Sequence, residues 1–284
     1  MDAVLLALVA AALFGAMPVA VRFALANPLP LALGTLLMQT ATLAVLAVAA
    51  AIQGGVTVSG ILPFLLAGIV APGASQLFIT TGIREAGSSR ASVAFGTAPL
   101  FAVLLAVVAF DEEPGSAVLV GACLIVAGGV ALAAEKDRPA HVRRIGIAYA
   151  LVGAALFALR DNIVRHLSLD TDVPSMTAGA ATLTSAIVVV ALVVAVRRDY
   201  VPVAPGAAAR WLLPGALVGL SYVALFEAFY RGTVSVVAPL VGTESLFGVA
   251  FSALLLHQSE RVGLRLVLGA ALVVAGGVLI GIYR

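Results

Sequence analysis

"GAALVVAGGVLI", residues 269–280, repeats almost letter for letter "GACLIVAGGVAL" at 121–132. Each copy sits inside an apolar run of about 20 residues, the length at which a helix crosses ~30 Å of hydrocarbon. The rest of the chain consists largely of such runs. Of 284 residues, 62% are hydrophobic and 11% charged, whereas a soluble domain carries about half apolar residues and roughly a quarter charged ones. The composition excludes a soluble globular fold and predicts an all-α membrane protein with many spans.

The runs predict ten transmembrane helices, at 3–25, 30–52, 61–83, 91–110, 115–134, 145–168, 175–196, 210–230, 235–257 and 262–282. Short connections such as "NPLP", "QGGVTVSG", "FDEEPG" and "RRDYVPVAPG" hold most of the Gly, Pro and charged residues. The N-terminus lacks a basic segment followed by a small-residue cleavage site, so it reads as the first span and not as a signal peptide.

The connection richest in charge, "EKDRPAHVRR" at 135–144, falls at the midpoint and separates a first unit, 1–134, from a second, 145–284. Two further matches keep the same order on either side of it. "FGTAPLF" pairs with "VGTESLF", and "AALF…VR" at 11–22 recurs at 154–165. Each unit then holds five spans. Because five is odd, the second unit must cross the membrane in the opposite sense, which predicts two inverted five-helix repeats. Secondary transporters built this way place their site near the midplane, between the repeats.

The segments "GSSRASVAFGTAPLFAVLLAVVAFDEEPGSAVLVGACLIVAGG" and "GTVSVVAPLVGTESLFGVAFSALLLHQSERVGLRLVLGAALVVAGG" resemble the halves of the drug/metabolite transporter superfamily, EamA type. The shared pattern is a short loop, a span with a central Pro-Leu-Phe, a Glu in the next loop and a glycine-rich final span. Glu112 and Glu260 align, each nine residues before the Gly of the last span. The resemblance covers nearly the whole chain. It implies a carrier of small organic metabolites or drug-like compounds, with export the favoured direction. This chain departs from the pattern where Ser245 replaces the proline that stands at Pro99 in the first half. It also carries Glu244 and Glu227 inside spans, where the family supplies no fixed acid.

An ionisable group at the centre of a span costs at least ~2.5–3.5 kcal/mol, so it normally faces protein or water and often marks a pathway. Glu244 lies about ten residues into the ninth predicted span, roughly 15 Å deep at ~1.5 Å per residue. Arg160, on the sixth span, falls at a similar depth from the same face, with Asp161 beside it. Glu244 and Arg160 thus become candidates to grip a polar substrate, and Glu244 to exchange a proton during transport. The alternative is a permanent ion pair that ties the two helices together. Glu227 stands four residues before Arg231, one helical turn, which favours an intrahelical ion pair over substrate contact.

Gln39, Gln76, Thr97 and Tyr222 are uncharged candidates, each able to hydrogen-bond a substrate or a neighbouring helix. Pro18, Pro72, Pro99 and Pro239 interrupt predicted spans, and such prolines are tolerated where other groups or cavity water satisfy the freed backbone. The small-residue faces of the fifth and tenth spans allow close helix packing, either within the scaffold or across a homodimer.

The net charge of +2 points to no nucleic-acid partner, and the single Cys123 allows no internal disulfide and no thiol cluster for a metal. No catalytic motif occurs, and no histidine lies mid-span beside a serine, so the sequence favours neither an enzyme nor a cofactor. Twelve Lys and Arg residues fall on the side of the odd-to-even connections and four on the side of the termini. The positive-inside rule then places the termini outside, whereas the family resemblance implies cytoplasmic termini. The expected function is a multi-pass secondary transporter of the cell membrane. A non-transporting scaffold or a passive pore is the alternative.

Overall fold

A computed structural model describes residues 2–26, 29–54, 59–98, 100–101, 104–105, 115–133, 143–168, 172–231, 240–256 and 263–283, with side chains 129–130, 132–133, 161–162, 164–168, 226 and 229–230 left aside. Every regular element among the described residues is helical. The helices are α1 Ala3–Ala24, α2 Leu31–Gln53, α3 Leu62–Gly68, α4 Ser75–Ala86, α5 Ser88–Phe95, α6 Ser116–Ala133, α7 Arg144–Ser168, α8 Ser175–Arg197, α9 Pro205–Arg231, α10 Glu244–Leu255 and α11 Leu264–Tyr283. Pro30 and Pro174 stand immediately before α2 and α8, and Pro205 opens α9. Proline suits that place because its φ is already helical and its missing N–H would lack a partner there anyway.

Among the described residues six helices are long and apolar enough to cross a membrane, counting 62–86 as one. The distribution of side chains agrees with that solvent. Ile52, Leu192, Val196, Leu254 and Leu264 are more than half exposed on the outside. Thr35, Gln39, Gln76, Arg90, Arg160, Ser221 and Ser252 are buried inside. In water such a surface would be a large aggregation-prone patch. Against lipid it costs nothing, and the polar groups collect where protein can satisfy them.

Helices from the two halves interleave. α1 packs on α9 and α10, α2 on α8 and α9, α4 on α7, α5 on α10, and α6 on α11. The last pair meets along an antiparallel seam, with Gly121 against Gly276 and Gly128 against Gly269. A methyl group on Gly121 would lie 2.7 Å from the Gly276 carbonyl oxygen, and one on Gly128 2.6 Å from that of Gly269. Only glycine permits this approach, and dispersion between the close backbones then holds the helices together where no hydrophobic force acts between them. The small faces of the fifth and tenth spans are therefore used on each other within the chain.

Three local features differ from the sequence expectation. The third span is not continuous: Ala71, before Pro72, has φ −146° and ψ 130°, so residues 69–74 form a wide turn between α3 and α4. Proline offers no N–H to the ladder and clashes with the preceding turn, which is why the helix yields there. The fourth span begins at Ser88 and not at 91, after a single connecting residue, Gly87, at φ 86°. Arg90, just before the predicted start of that span, therefore lies within α5 and is 0% exposed.

The third difference concerns Glu244. The ninth predicted span is not one helix, because the chain turns at Gly242–Thr243 and Glu244 is the first residue of α10. The first half turns at the matching Gly96–Thr97. The two turns share their bonding. Thr97 Oγ1 donates to the Ala94 carbonyl at 2.7 Å and Thr243 Oγ1 to the Leu240 carbonyl at 2.6 Å, while each threonine N–H bonds the same carbonyl. A threonine hydroxyl competing for the i−3 carbonyl tightens the backbone locally and interrupts the α-helix. Pro99, Pro239, Glu112, Glu260 and most of the linker 135–144 lie outside the described residues.

Candidate functional site

The repeated "AALF" places Phe14 on α1 and Phe157 on α7 at equivalent positions. Each ring receives another edge-on. Tyr222 of α9 meets Phe14 with centroids 5.6 Å apart and planes at 90°, and Phe95 of α5 meets Phe157 at 5.3 Å and 90°. Edge-to-face is the arrangement the ring quadrupole favours. Four helices from both halves thus present aromatic side chains to one region.

Arg160 lies one turn beyond Phe157 on α7 and is 7% exposed. Its guanidinium carbon stands 5.1 Å from the centroid of the Phe157 ring and 5.9 Å from that of Tyr222, and Nη2 donates to the Tyr222 hydroxyl at 3.3 Å. Ring faces stabilise a desolvated guanidinium by about 2 kcal/mol or more. At the equivalent position in the first half stands Met17, so the cation belongs to one repeat only.

The backbone of Glu244, on α10, meets α1. A methyl group on Gly15, the neighbour of Phe14, would lie 2.7 Å from the Glu244 carbonyl oxygen. As the first residue of α10, Glu244 sits at the positive end of the helix dipole. That placement explains why one copy of the repeat tolerates an acid where the other has Ala98. Asp161 follows Arg160 on α7, and its side chain is outside those described.

Gln39 of α2 is buried and donates Nε2–H to the Pro72 carbonyl at 2.8 Å, occupying one carbonyl at the break of the third span. Gln76 is buried one turn after that break. Thr97 is buried with its hydroxyl turned to its own backbone. Glu227 forms the one-turn ion pair with Arg231, at 2.9 and 3.1 Å, near the end of α9. Arg160, Tyr222, Gln39 and Gln76 are therefore drawn toward the bundle interior. Glu227 stands apart from them in a half-exposed pair.

Sequence reading passed over Phe14, Phe95 and Phe157, although "AALF" recurring with its phenylalanine carried the signal. It also passed over an ionic cluster at one face of the bundle. Glu85, at the end of α4, accepts from Arg84 Nε and Arg143 Nη1, both at 3.0 Å, and its carbonyl accepts from the Arg143 backbone N–H at 2.7 Å. Arg22, at the end of α1, donates to the Arg84 carbonyl at 3.3 Å. Nearby, the Ser88 and Ser252 hydroxyls lie 2.7 Å apart between α5 and α10.

The chain matches the profile of the EamA-like transporter family over residues 1–133 and 144–282. It is 24% identical over 207 residues to an uncharacterized transporter of Methanothermobacter thermautotrophicus, a match spanning 70% of this chain and 57% of that protein. A crystal structure of a protein 20% identical in sequence superposes with a TM-score of 0.68 over 98% of this chain and 95% of the other, so the two share a fold. Matched in both halves by one family profile, the chain belongs to the EamA-like transporter family.

Proposed function

We propose that the protein is a secondary-active carrier of small organic solutes in the cell membrane, made of two inverted five-helix units, 1–134 and 145–284. Its site lies where α1, α5, α7, α9 and α10 converge. The carrying observation is Arg160, a cation inside the bundle on the ring faces of Phe157 and Tyr222. Such a group is costly within a membrane and usually marks a pathway.

Support for the inversion comes from the seam between α6 and α11. Their sequences are copies of each other, Gly121 corresponding to Gly269 and Gly128 to Gly276. Yet Gly121 meets Gly276 and Gly128 meets Gly269. Copies that pair in this crossed order run in opposite directions, as a two-fold axis in the membrane plane requires. α5 and α10, which stand before and after the matching turns of the two halves, also run antiparallel, with Ser88 beside Ser252 and Ser92 beside Gly248.

In this reading Arg160 and Tyr222 bind the polar part of the solute, with Gln39 and Gln76 on the opposite wall. Asp161 and Thr97 border the site, and Glu227 steadies the end of α9. Glu244 is the coupling residue, which takes up a proton in one half of the cycle. Alternating access follows from rocking one unit against the other, and export is the direction the family favours. A homodimer would need a surface other than the glycine faces of α6 and α11. A scaffold or pore has no use for a cation held on aromatic rings at the centre.

A melting-temperature screen of metabolites on detergent-solubilised protein selects the solute. Counterflow in liposomes then tests the mechanism, since solute on the far side accelerates exchange through a carrier and leaves a pore unaffected. No acceleration would remove the carrier reading. Unchanged pH dependence in Glu244→Gln would remove proton coupling alone.

A further inference from the structure

Three helix ends meet at the ionic cluster around Glu85. Arg22 and Arg84 stand in the last turns of α1 and α4, and Arg143 directly precedes α7. Glu85 accepts from Arg84 Nε and Arg143 Nη1, both at 3.0 Å, and Arg22 Nη1 donates to the Arg84 carbonyl at 3.3 Å. The backbone fixes the same junction, because the Arg143 N–H bonds the Glu85 carbonyl at 2.7 Å. Arg144 follows as the first residue of α7 and is exposed.

A tie between helix ends needs one cation for one carboxylate. Here three arginines share a single acid, and a fourth stands beside them. The linker that leads into Arg143 adds Glu135 and Asp137 but also Lys136 and Arg138, so its composition does not offset the excess. The Glu85 side chain is only 14% exposed, while those of Arg84 and Arg143 are 47% and 71% exposed. The acid is thus largely covered, and the cations still face outward. The dipole of a helix favours Arg22 and Arg84 at its end and disfavours Arg143 and Arg144 at its start, so helix capping does not account for the second pair.

The position selects the kind of anion. Residues 3–24 and 62–86 are each long and apolar enough to cross a membrane, which puts the arginines at their ends in the headgroup layer. Phe23 and Ile145, next to Arg22 and Arg144, are nearly half exposed and offer apolar surface at the same level. Guanidinium forks match phosphate oxygens two bonds at a time. Basic pockets between membrane helices on the cytoplasmic side hold anionic headgroups, and all four arginines lie on the odd-to-even connections, which the positive-inside rule assigns to that side. We propose that Arg22, Arg84, Arg143 and Arg144 form a headgroup site for an anionic phospholipid, with Glu85 spacing two of the guanidiniums. The site takes nothing from the carrier mechanism, only that these helix ends reach the membrane surface.

The test is lipid binding to the full-length protein in detergent, read by native mass spectrometry and as a melting shift. The probes are dioleoyl phosphatidylglycerol, dioleoyl phosphatidylcholine as the zwitterionic control, and glycerol phosphate as a headgroup without chains. Phosphatidylglycerol should bind more tightly than phosphatidylcholine, and its affinity should fall as salt rises. Arg22→Gln and Arg143→Gln should each weaken it about fivefold, the value of one cation near an anionic surface. Arg210→Gln removes an exposed arginine outside the cluster and should change it by much less.

Four results would each overturn the site. They are equal binding of the two phospholipids, unchanged affinity in both cluster variants, an equal loss in Arg210→Gln, and displacement of the lipid by equimolar glycerol phosphate. The third would mean a diffuse positive face, and the fourth a site for free anions. Should either cluster variant fail to fold, the other variant and the salt response of the wild type decide. Counterflow tests the carrier reading separately, so each can fail without the other.

Discussion

Arg160 borrows its stability from rings and from one phenol hydroxyl, so each partner can be removed separately. Tyr222→Phe keeps the ring face and deletes the acceptor. A hydrogen bond to a charged group is worth ~1.5–3 kcal/mol, and a melting curve in detergent should show a loss of that order. Phe157→Leu deletes a ring face while keeping the acceptor, and should cost about 0.5–2 kcal/mol through the cation–π contact. If neither variant melts lower, the guanidinium is held by something other than the groups around it here. Gln39 offers a different check. Gln39→Met removes the Nε2 donor that the Pro72 carbonyl accepts at 2.8 Å while leaving that carbonyl the Ser75 backbone N–H, and should destabilise by ~0.5–1.5 kcal/mol. Only the charged and amide residues of this region stood out in the sequence. The rings did not, because phenylalanine in an apolar run gives no hint of which way it faces.

Helix ends were legible where the chain states them chemically. α2 was expected at 30–52 and α8 at 175–196, and they occupy Leu31–Gln53 and Ser175–Arg197. Both follow a proline that ends the preceding connection. The turns at Gly96–Thr97 and Gly242–Thr243 were not legible, because a single tight turn leaves the apolar run unbroken and hydropathy cannot register it. Arg90 misled for the opposite reason. "GSSRAS" has the composition of a loop, yet it forms a buried helical turn against α10. The close seam between α6 and α11 gives the clearest test among the elements. Gly121→Leu places its Cβ 2.7 Å from the Gly276 carbonyl oxygen, and such overpacking costs about 1–3 kcal/mol. Gly206→Ala, with nothing within 4 Å of the new methyl, should leave the melting temperature unchanged or raise it slightly, by about 0.4–1 kcal/mol. Equal effects at the two positions would mean that the seam is looser than these contacts require.

The described molecule is a set of paired helices from two half-chains, with Arg160 in one and Met17 at the equivalent place in the other. In the proposed rocking cycle, one face that parts is that where Glu85 ties Arg84 and Arg143 together and Ser88 meets Ser252. Exposed ion pairs contribute only ~0.2–1 kcal/mol, enough to bias a rocking equilibrium and too little to lock it. Glu85→Gln leaves two arginines facing each other, so that face should part more often. A thiol reagent should then reach Ser88→Cys, in a Cys123→Ser background, up to about fivefold faster than when Glu85 is present. An unchanged rate would place the closure elsewhere.

Orientation of the halves is tested most directly by labelling Gln53→Cys and Arg197→Cys, each alone in Cys123→Ser, with a membrane-impermeant maleimide on intact cells. The two residues are exposed and end α2 and α8, helices of 23 residues that each follow a proline. Inverted units put them on opposite faces, so one should react at once and the other only after the membrane is permeabilised. Labelling of both from the same side would mean that the units lie parallel, and the central site built between inverted halves would not exist.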